Sequence, residues 1–197
     1  MKKLFKIIAL ILAMSFVFAA CGSNSADETS TVSGSSESAH SQVKFTMENG
    51  GAFIVELYPE YAPKTVENFL KLVESGYYNG LTFHRVVDDF MAQGGEGATT
   101  DRIVGEFSIN GFDQNTLSHT RGVISMARTN EYNSASSQFF ICYADATFLD
   151  GQYAAFGKVI EGMEVVDGFL EVERTYNARG ELAVPIDPIV IETAEVI

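Results

Sequence analysis

The stretch FHRVVDDFMAQGG, residues 83–95, sets one permanent cation, Arg85, and one amide, Gln93, among large apolar side chains. Its two valines favour an extended backbone, Asp88-Asp89 is typical of a turn, and the paired glycines end a second extended run. The stretch therefore predicts a β-hairpin. Polar groups in an apolar wall are typical of a ligand pocket, although a hairpin with a surface arginine would show the same residues.

The length of the turn decides which side chains of this hairpin meet. With a two-residue turn at Asp88-Asp89, Arg85 would face Ala92, and Gln93 would lie on the other side of the hairpin. A bulge or a longer loop is needed to bring Arg85 and Gln93 together. Periodicity alone therefore does not predict that they converge.

Two further blocks follow the hairpin in a recognisable order. RGVISMA (121–127) precedes SSQFFI (136–141), and FLDGQYAAFGKV (148–159) comes next. With residues 83–95, these blocks resemble the cyclophilin-type peptidyl-prolyl cis-trans isomerases, and the resemblance extends from about Val43 to the C-terminus. It implies a mainly β fold, a closed eight-stranded antiparallel β-barrel capped by two α-helices, which agrees with the many short extended runs of the chain.

The resemblance also implies a set of site residues. The reaction would be isomerisation of Xaa-Pro peptide bonds without a covalent intermediate, a cofactor or a metal ion. Arg85 and Gln93 would be catalytic, Arg85 by stabilising the twisted prolyl nitrogen. The substrate-binding residues would be Phe90, Met91, Ala127, Arg128, Phe140, Phe148, Leu149 and Tyr153, with the backbone of Arg128 holding the residue before the proline.

Three positions depart from the pattern of the family. Phe148 stands where many members have Trp, Tyr153 where many have His, and Arg128-Thr129 where many have Asn-Ala. Tyr153 keeps a ring and a polar tip, so prolyl binding is expected to survive. The missing indole N–H at Phe148 predicts weak cyclosporin binding, and the Arg128 side chain adds a cation at the rim of the pocket.

The local patterns agree with this fold. Residues 43–47 and 53–57 alternate apolar and polar side chains around an Asn-Gly-Gly turn, which predicts a hairpin. Pro63 suits the first turn of a helix, the apolar residues that follow recur at helical spacing, and Gly76 suits its end. A shorter helix is predicted from about Met163 to Leu170.

The N-terminus resembles a bacterial lipoprotein signal. A lysine-rich head, an apolar run to Ala20 and the sequence Phe18-Ala19-Ala20-Cys21 predict a signal peptide at 1–20. Cys21 would be lipidated, residues 21–42 would form a disordered Ser/Thr-rich linker, and 43–197 would be the isomerase domain. An ordinary signal cut near Ala20 is the alternative. The prediction places the domain outside the cytoplasm, anchored to a bacterial membrane through Cys21.

The net charge and the positions of the histidine, serine and cysteine residues argue against several other functions. The formal net charge is −13, so nucleic acid is not an expected partner. His84 and His119 lie far apart without a metal-ligand spacing, and no serine lies in a hydrolase motif. Cys142 has no partner for an intrachain disulfide if Cys21 is lipidated, and it is interpreted as a small buried apolar residue.

The expected partners are therefore proline-containing polypeptides, above all unfolded or partly folded exported proteins. Two other classes of protein share some of these features. A binding module for proline-containing peptides would use the same pocket without needing Arg85, and the substrate-binding lipoprotein of a transporter would share the signal and the linker. The transporter class normally needs two large α/β lobes, for which this chain is too short and too rich in predicted strands.

Overall fold

The protein was analysed as a computed structural model that describes residues 40–197. The predicted signal peptide, Cys21 and nearly all of the predicted linker lie outside the described residues. Strands and helices run as follows: β1 Gln42–Met47, β2 Ala52–Leu57, α1 Pro63–Glu74, β3 Thr82–Val87, β4 Met91–Gly94, β5 Val123–Met126, β6 Phe139–Cys142, β7 Ala155–Glu161, α2 Met163–Asp167, β8 Arg174–Tyr176, β9 Leu182–Pro185 and β10 Ile189–Val196.

Eight of these strands close into an antiparallel barrel in the order β1-β10-β3-β4-β6-β5-β7-β2, and β8 and β9 form a separate hairpin. The alternation in the first hairpin has the predicted result, since β1 pairs with β2 in register and Phe45 lies opposite Phe53. Their stacked rings, 4.9 Å apart, lie in a barrel interior filled with side chains. The predicted closed eight-stranded barrel is confirmed.

Helix α1 begins at Pro63 as predicted, and its apolar face includes Val66, Phe69 and Val73. No side chain within the helix caps its first turn. Instead the buried carboxylate of Glu106 accepts hydrogen bonds from the backbone amides of Lys64 and Thr65, at 2.9 and 2.7 Å. This long-range cap satisfies amides that a helix N-terminus otherwise leaves without acceptors.

The second predicted helix is shorter than expected. Helix α2 covers only Met163–Asp167, and the chain continues as a 3₁₀ turn over Gly168–Glu171. Together they span the predicted segment from Met163 to Leu170. In residues 40–197, no helix is both long enough and apolar enough to cross a membrane.

The strands beside the site are buried on both faces. In β6, Phe139 and Ile141 point into the barrel interior, whereas Phe140 and Cys142 belong to a second apolar cluster on the outer face. All four residues of β6 are buried, so the strand lacks polar alternation. Burial raises the pKa of the Cys142 thiol to about 12, which agrees with the interpretation of Cys142 as a small apolar residue. The outer cluster is where the candidate site lies.

Candidate active site

The β3–β4 hairpin brings Arg85 and Gln93 together through a three-residue loop. Val87 pairs with Met91 and Arg85 pairs directly with Gln93. The loop therefore contains Phe90 as well as the two aspartates, and Asp89 takes a left-handed conformation with φ of 55°. A two-residue turn would have placed Ala92 opposite Arg85, so the longer loop is the reason that the two polar side chains meet.

A register shift in β3 puts Arg85 on the outer face. The pairing with β4 is irregular between Phe83 and Arg85. Phe83 and Val86 both point into the barrel interior although three positions separate them, which a bulge allows. Arg85 and Val87 consequently face outward, where Val87 packs against the outer apolar cluster.

The Arg85 guanidinium is fixed by a residue that the sequence did not indicate. Its Nε and Nη2 donate to the two carboxylate oxygens of Glu181 at 2.7 and 2.8 Å. Its Nη1 donates to Oε1 of Gln93 at 3.2 Å, and Gln93 in turn donates to Gln138 at 2.7 Å. The fork is thus held in one plane by a bidentate ion pair and an amide.

Glu181 is itself positioned by the loop between β8 and β9. Asn177 donates from Nδ2 to the Glu181 carboxylate at 2.9 Å, and its Oδ1 accepts the backbone amides of Arg179 and Glu181. The hydrogen bond from Arg85 lowers the pKa of Glu181 below its usual value. The carboxylate is therefore ionised at neutral pH, and it stabilises Arg85 as a cation in a fixed orientation.

Next to Arg85 lies a pocket of about 510 Å³, lined by both apolar and polar side chains. Its lining includes nine of the ten residues predicted as catalytic or substrate-binding: Arg85, Phe90, Met91, Gln93, Ala127, Arg128, Phe140, Leu149 and Tyr153. The loop residues Asn177, Ala178 and Arg179 complete the lining, and the sequence had not indicated them. We call this cavity the proline pocket, after the ligand that the resemblance to the cyclophilins implies.

Phe148 is the predicted site residue that does not line the proline pocket. Its side chain is 64% exposed, and its ring centroid lies 5.8 Å from that of Phe90. Phe148 therefore extends the apolar surface outside the pocket. Its neighbour Leu149 is buried in the outer cluster, since the two residues follow each other in a 3₁₀ turn and point in different directions.

A buried histidine supports the floor of the proline pocket. The His119 ring is stacked on Phe140, with centroids 6.0 Å apart. Its Nδ1 lies 2.8 Å from the Asp150 carboxylate and its Nε2 lies 3.0 Å from the Ser125 hydroxyl. Burial lowers the pKa of His119, although Asp150 opposes this shift. When the neutral ring donates a hydrogen bond from Nδ1 to Asp150, its Nε2 accepts a hydrogen bond from the Ser125 hydroxyl.

Asp150, His119 and Ser125 stand in the order of a hydrolase triad, but the geometry rules out that chemistry. Ser125 and His119 are both fully buried, with 0% exposure. A nucleophilic serine must reach its substrate, and Ser125 faces only protein. The three residues are therefore a structural support beneath Phe140.

Arg128, which also lines the proline pocket, lies on an aromatic surface. Its guanidinium carbon is 4.4 Å from the Tyr153 ring centroid and 5.2 Å from those of Phe107 and Tyr132. A second depression of about 380 Å³ begins here and shares Gln93, Ala127 and Arg128 with the proline pocket. The two cavities therefore adjoin along these three shared residues.

Comparisons with known proteins agree with this geometry. Residues 42–196 match the family described as cyclophilin type peptidyl-prolyl cis-trans isomerase/CLD. Peptidyl-prolyl cis-trans isomerase cyp18 of Streptomyces antibioticus is 43% identical over 159 residues, which cover 76% of this chain and 95% of that protein. Peptidyl-prolyl cis-trans isomerase A of Dickeya dadantii is 46% identical over 161 residues, covering 76% and 81%.

Solved structures lead to the same family. The crystal structure of a Cryptosporidium parvum cyclophilin type peptidyl-prolyl cis-trans isomerase aligns with a TM-score of 0.66 and 30% identity, over 80% of this chain and 98% of that chain. A structure of the same protein in the presence of the dipeptide Ala-Pro aligns with a TM-score of 0.65 and 30% identity, over 79% and 98%. By its sequence match, its relatives and its barrel, this chain belongs to the cyclophilin-type peptidyl-prolyl cis-trans isomerases.

Proposed function

We propose that this isomerase acts outside the cytoplasm on Xaa-Pro bonds of exported proteins, with Arg85 as its principal catalytic group. The observation that carries the catalytic part is the fixed Arg85 fork at the edge of the proline pocket. The Ala-Pro dipeptide in the Cryptosporidium crystal supports a proline-containing ligand for the pocket. The lysine-rich head and the sequence preceding Cys21 support export and lipid anchoring.

The chemistry needs no nucleophile, because the prolyl bond only has to lose its double-bond character. The barrier is about 18–20 kcal/mol and the uncatalysed reaction takes about 10–100 s. Turnover of hundreds per second requires about 10⁴-fold acceleration, or roughly 5.5 kcal/mol. As the prolyl nitrogen leaves amide resonance, its lone pair becomes an acceptor for a donor on the Arg85 guanidinium. One charge-assisted hydrogen bond supplies about 1.5–3 kcal/mol.

The proline pocket supplies the remainder in this proposal. Phe90, Met91, Phe140 and Leu149 would hold the proline ring while the preceding residue rotates. Apolar walls exclude water, which strengthens the hydrogen bond from Arg85 to the twisted bond. Gln93 would orient both Arg85 and the substrate, since its amide oxygen accepts from Arg85 and its amide nitrogen donates to Gln138.

Replacement of Arg85 tests the catalytic proposal. Arg85→Ala should lower turnover by about one to two decades, the equivalent of about 1.5–3 kcal/mol. Arg85→Lys should recover little, because an ammonium does not reproduce the planar donors. Peptide affinity should fall much less, since the contacts to the proline ring remain.

Turnover is measured by an isomer-specific peptide assay and affinity by titration, with folding checked by circular dichroism. Wild-type turnover in both folded variants would show that Arg85 is only a surface cation. In that case the pocket would be one that binds prolyl peptides without catalysis through this residue.

The anchoring proposal has its own test. Mass spectrometry of the membrane fraction should find a diacylglyceryl adduct on Cys21, and Cys21→Ala should release the domain from the membrane. Two acyl chains anchor stably whereas one does not. A Cys21→Ala protein that stays equally membrane-bound would contradict the proposal.

A further inference from the structure

The distribution of charge around the proline pocket differs from that of the whole chain. The sequence has 26 acidic and 13 basic residues, and six of the basic residues are arginines. Three of those arginines, Arg85, Arg128 and Arg179, line the proline pocket, whereas its lining within residues 40–197 contains no carboxylate. An acidic protein has thus placed half of its arginines at one cavity.

Only some of these arginines have a carboxylate partner. All six lie within residues 40–197, and four form ion pairs: Arg85 with Glu181, Arg102 with Glu131, Arg121 with Asp167 and Arg174 with Asp88. The other two, Arg128 and Arg179, have no carboxylate within 4.0 Å in this described part of the chain. Both of them line the proline pocket.

Arg128 is held rigidly despite lacking an ion pair. Its Nε donates to the carbonyl of Gln152 at 2.9 Å and its Nη1 to that of Thr129 at 2.8 Å. Its guanidinium stacks on Tyr153, another lining residue of the pocket. Nη2 donates to no acceptor within residues 40–197. The cation is therefore fixed at the rim with one amino group free for a ligand.

The position of Arg128 defines which part of a substrate it can meet. Arg128 and Ala127 line both the proline pocket and the adjoining depression. A peptide that places its proline ring in the pocket and continues into the depression passes this rim next to the proline. The side chain nearest the Arg128 cation is then that of a residue flanking the proline. The resemblance of the site to its family makes this the residue before the proline.

We propose that Arg128 makes this isomerase selective for substrates with an acidic residue before the proline, Glu-Pro and Asp-Pro bonds. This inference rests on the proposed function of the pocket. A carboxylate at that position meets a fixed cation with a free donor, and Arg179 adds a second positive charge to the pocket lining. The overall negative charge does not cancel this attraction, because salt screens charges beyond about 8 Å at physiological ionic strength.

The test compares peptides that differ only in the residue before proline: Glu, its neutral analogue Gln, and Lys. For each, kcat/KM is measured by an isomer-specific assay and affinity by titration, at low and at high salt. The wild type should favour Glu-Pro over Gln-Pro by about three- to fivefold at low salt, as expected for a partly exposed ion pair. The Lys-Pro peptide should be the poorest substrate, and high salt should reduce the differences in kcat/KM among the three peptides.

Two variants identify the residue responsible. Arg128→Gln should bring the Glu-to-Gln ratio close to one. The matched control, Lys71→Gln on the exposed face of α1, removes the same charge away from the pocket and should leave the ratio unchanged. A wild-type ratio near one, or a ratio that Arg128→Gln does not alter, overturns the proposal.

If Arg128→Gln does not fold, the salt dependence of the wild-type Glu-to-Gln ratio tests the proposal by itself. A ratio that persists at high salt contradicts an ionic origin of the preference. Failure of the proposed function gives a different result, in which no peptide is isomerised. The affinity ratios still test the preference in that case.

Discussion

Removing the charge of Glu181 should slow catalysis by loosening Arg85. In Glu181→Gln the bidentate ion pair to Nε and Nη2 is lost, and Gln93 remains as the other strong polar contact of the fork. An arginine side chain carries about 2 kcal/mol of rotamer entropy. Glu181 makes two of three strong contacts and the glutamine oxygen can replace only one of them, so the substitution returns half or somewhat more of that freedom. The transition state should be destabilised by about 1–1.4 kcal/mol, and kcat should fall about five- to tenfold.

An opposing effect makes this prediction refutable. Glu181 also neutralises Arg85, so its removal leaves a less compensated cation facing the prolyl nitrogen. We expect the positioning effect to dominate, because the pair is only 28% and 31% exposed and both hydrogen bonds are short. A rise in kcat would show that charge compensation outweighs positioning, and the reasoning would be wrong.

The assay separates positioning from general damage to the fold. NMR exchange spectroscopy on an Ala-Pro peptide gives the isomerisation rate without a coupling protease, and titration gives affinity. KM should change little, because the apolar wall of the pocket is intact. Glu173→Gln is the matched control, since it removes the same charge from an exposed residue next to β8. The control should keep wild-type turnover.

Three further outcomes follow from the pKa shifts and the site. The Glu181–Arg85 ion pair stabilises the fold above the usual Glu pKa of 4.5, and this effect is lost as the pH falls through the lowered pKa of Glu181. The difference in the free energy of unfolding between wild type and Glu181→Gln should therefore shrink in acid. Burial lowers the pKa of His119, so the imidazole binds a proton more readily in the unfolded chain than in the folded one. The stability of the wild type, measured by urea unfolding, should therefore decrease below about pH 6.5 more steeply than that of His119→Gln. Cyclosporin should inhibit weakly and Phe148→Trp should improve inhibition by restoring an indole donor; an unchanged inhibition constant would show that the exposed position of Phe148 keeps it out of the drug site.

Local patterns predicted the elements of the fold but not the convergence of the site. Alternation at 43–57 predicted the β1–β2 hairpin, and Pro63 predicted the start of α1. At residues 88–90 the same rules were insufficient, because Phe90 has the character of a strand residue and yet lies in the loop. A left-handed Asp89 absorbs the extra residue, and sequence periodicity carries no signal for that.

Glu181 was missed for a different reason. It lies 96 positions from Arg85 in the chain, and the packing of the separate β8–β9 hairpin against β3 brings the two side chains together. An acidic residue in a polar loop is ordinarily a solvated surface residue, so nothing local distinguishes it. Its partner could have been suspected only from the principle that a fixed arginine needs an acceptor.

Strands β4 and β6 contact the barrel core with one face and the proline pocket with the other, which limits the changes of register that they tolerate. Neighbouring residues of β4 and β6 alternate between the barrel core and the wall of the proline pocket. If β4 slipped by one residue, as a two-residue turn at Asp88-Asp89 would require, Ala92 would face Arg85 and Met91 and Gln93 would point into the core, so foldability and activity would fail together. At Asp88 and Asp89, substitutions that keep the three-residue span leave this register in place, whereas Phe90 also lines the proline pocket. A slip of β4 by one residue would thus damage the core and the pocket wall at the same time.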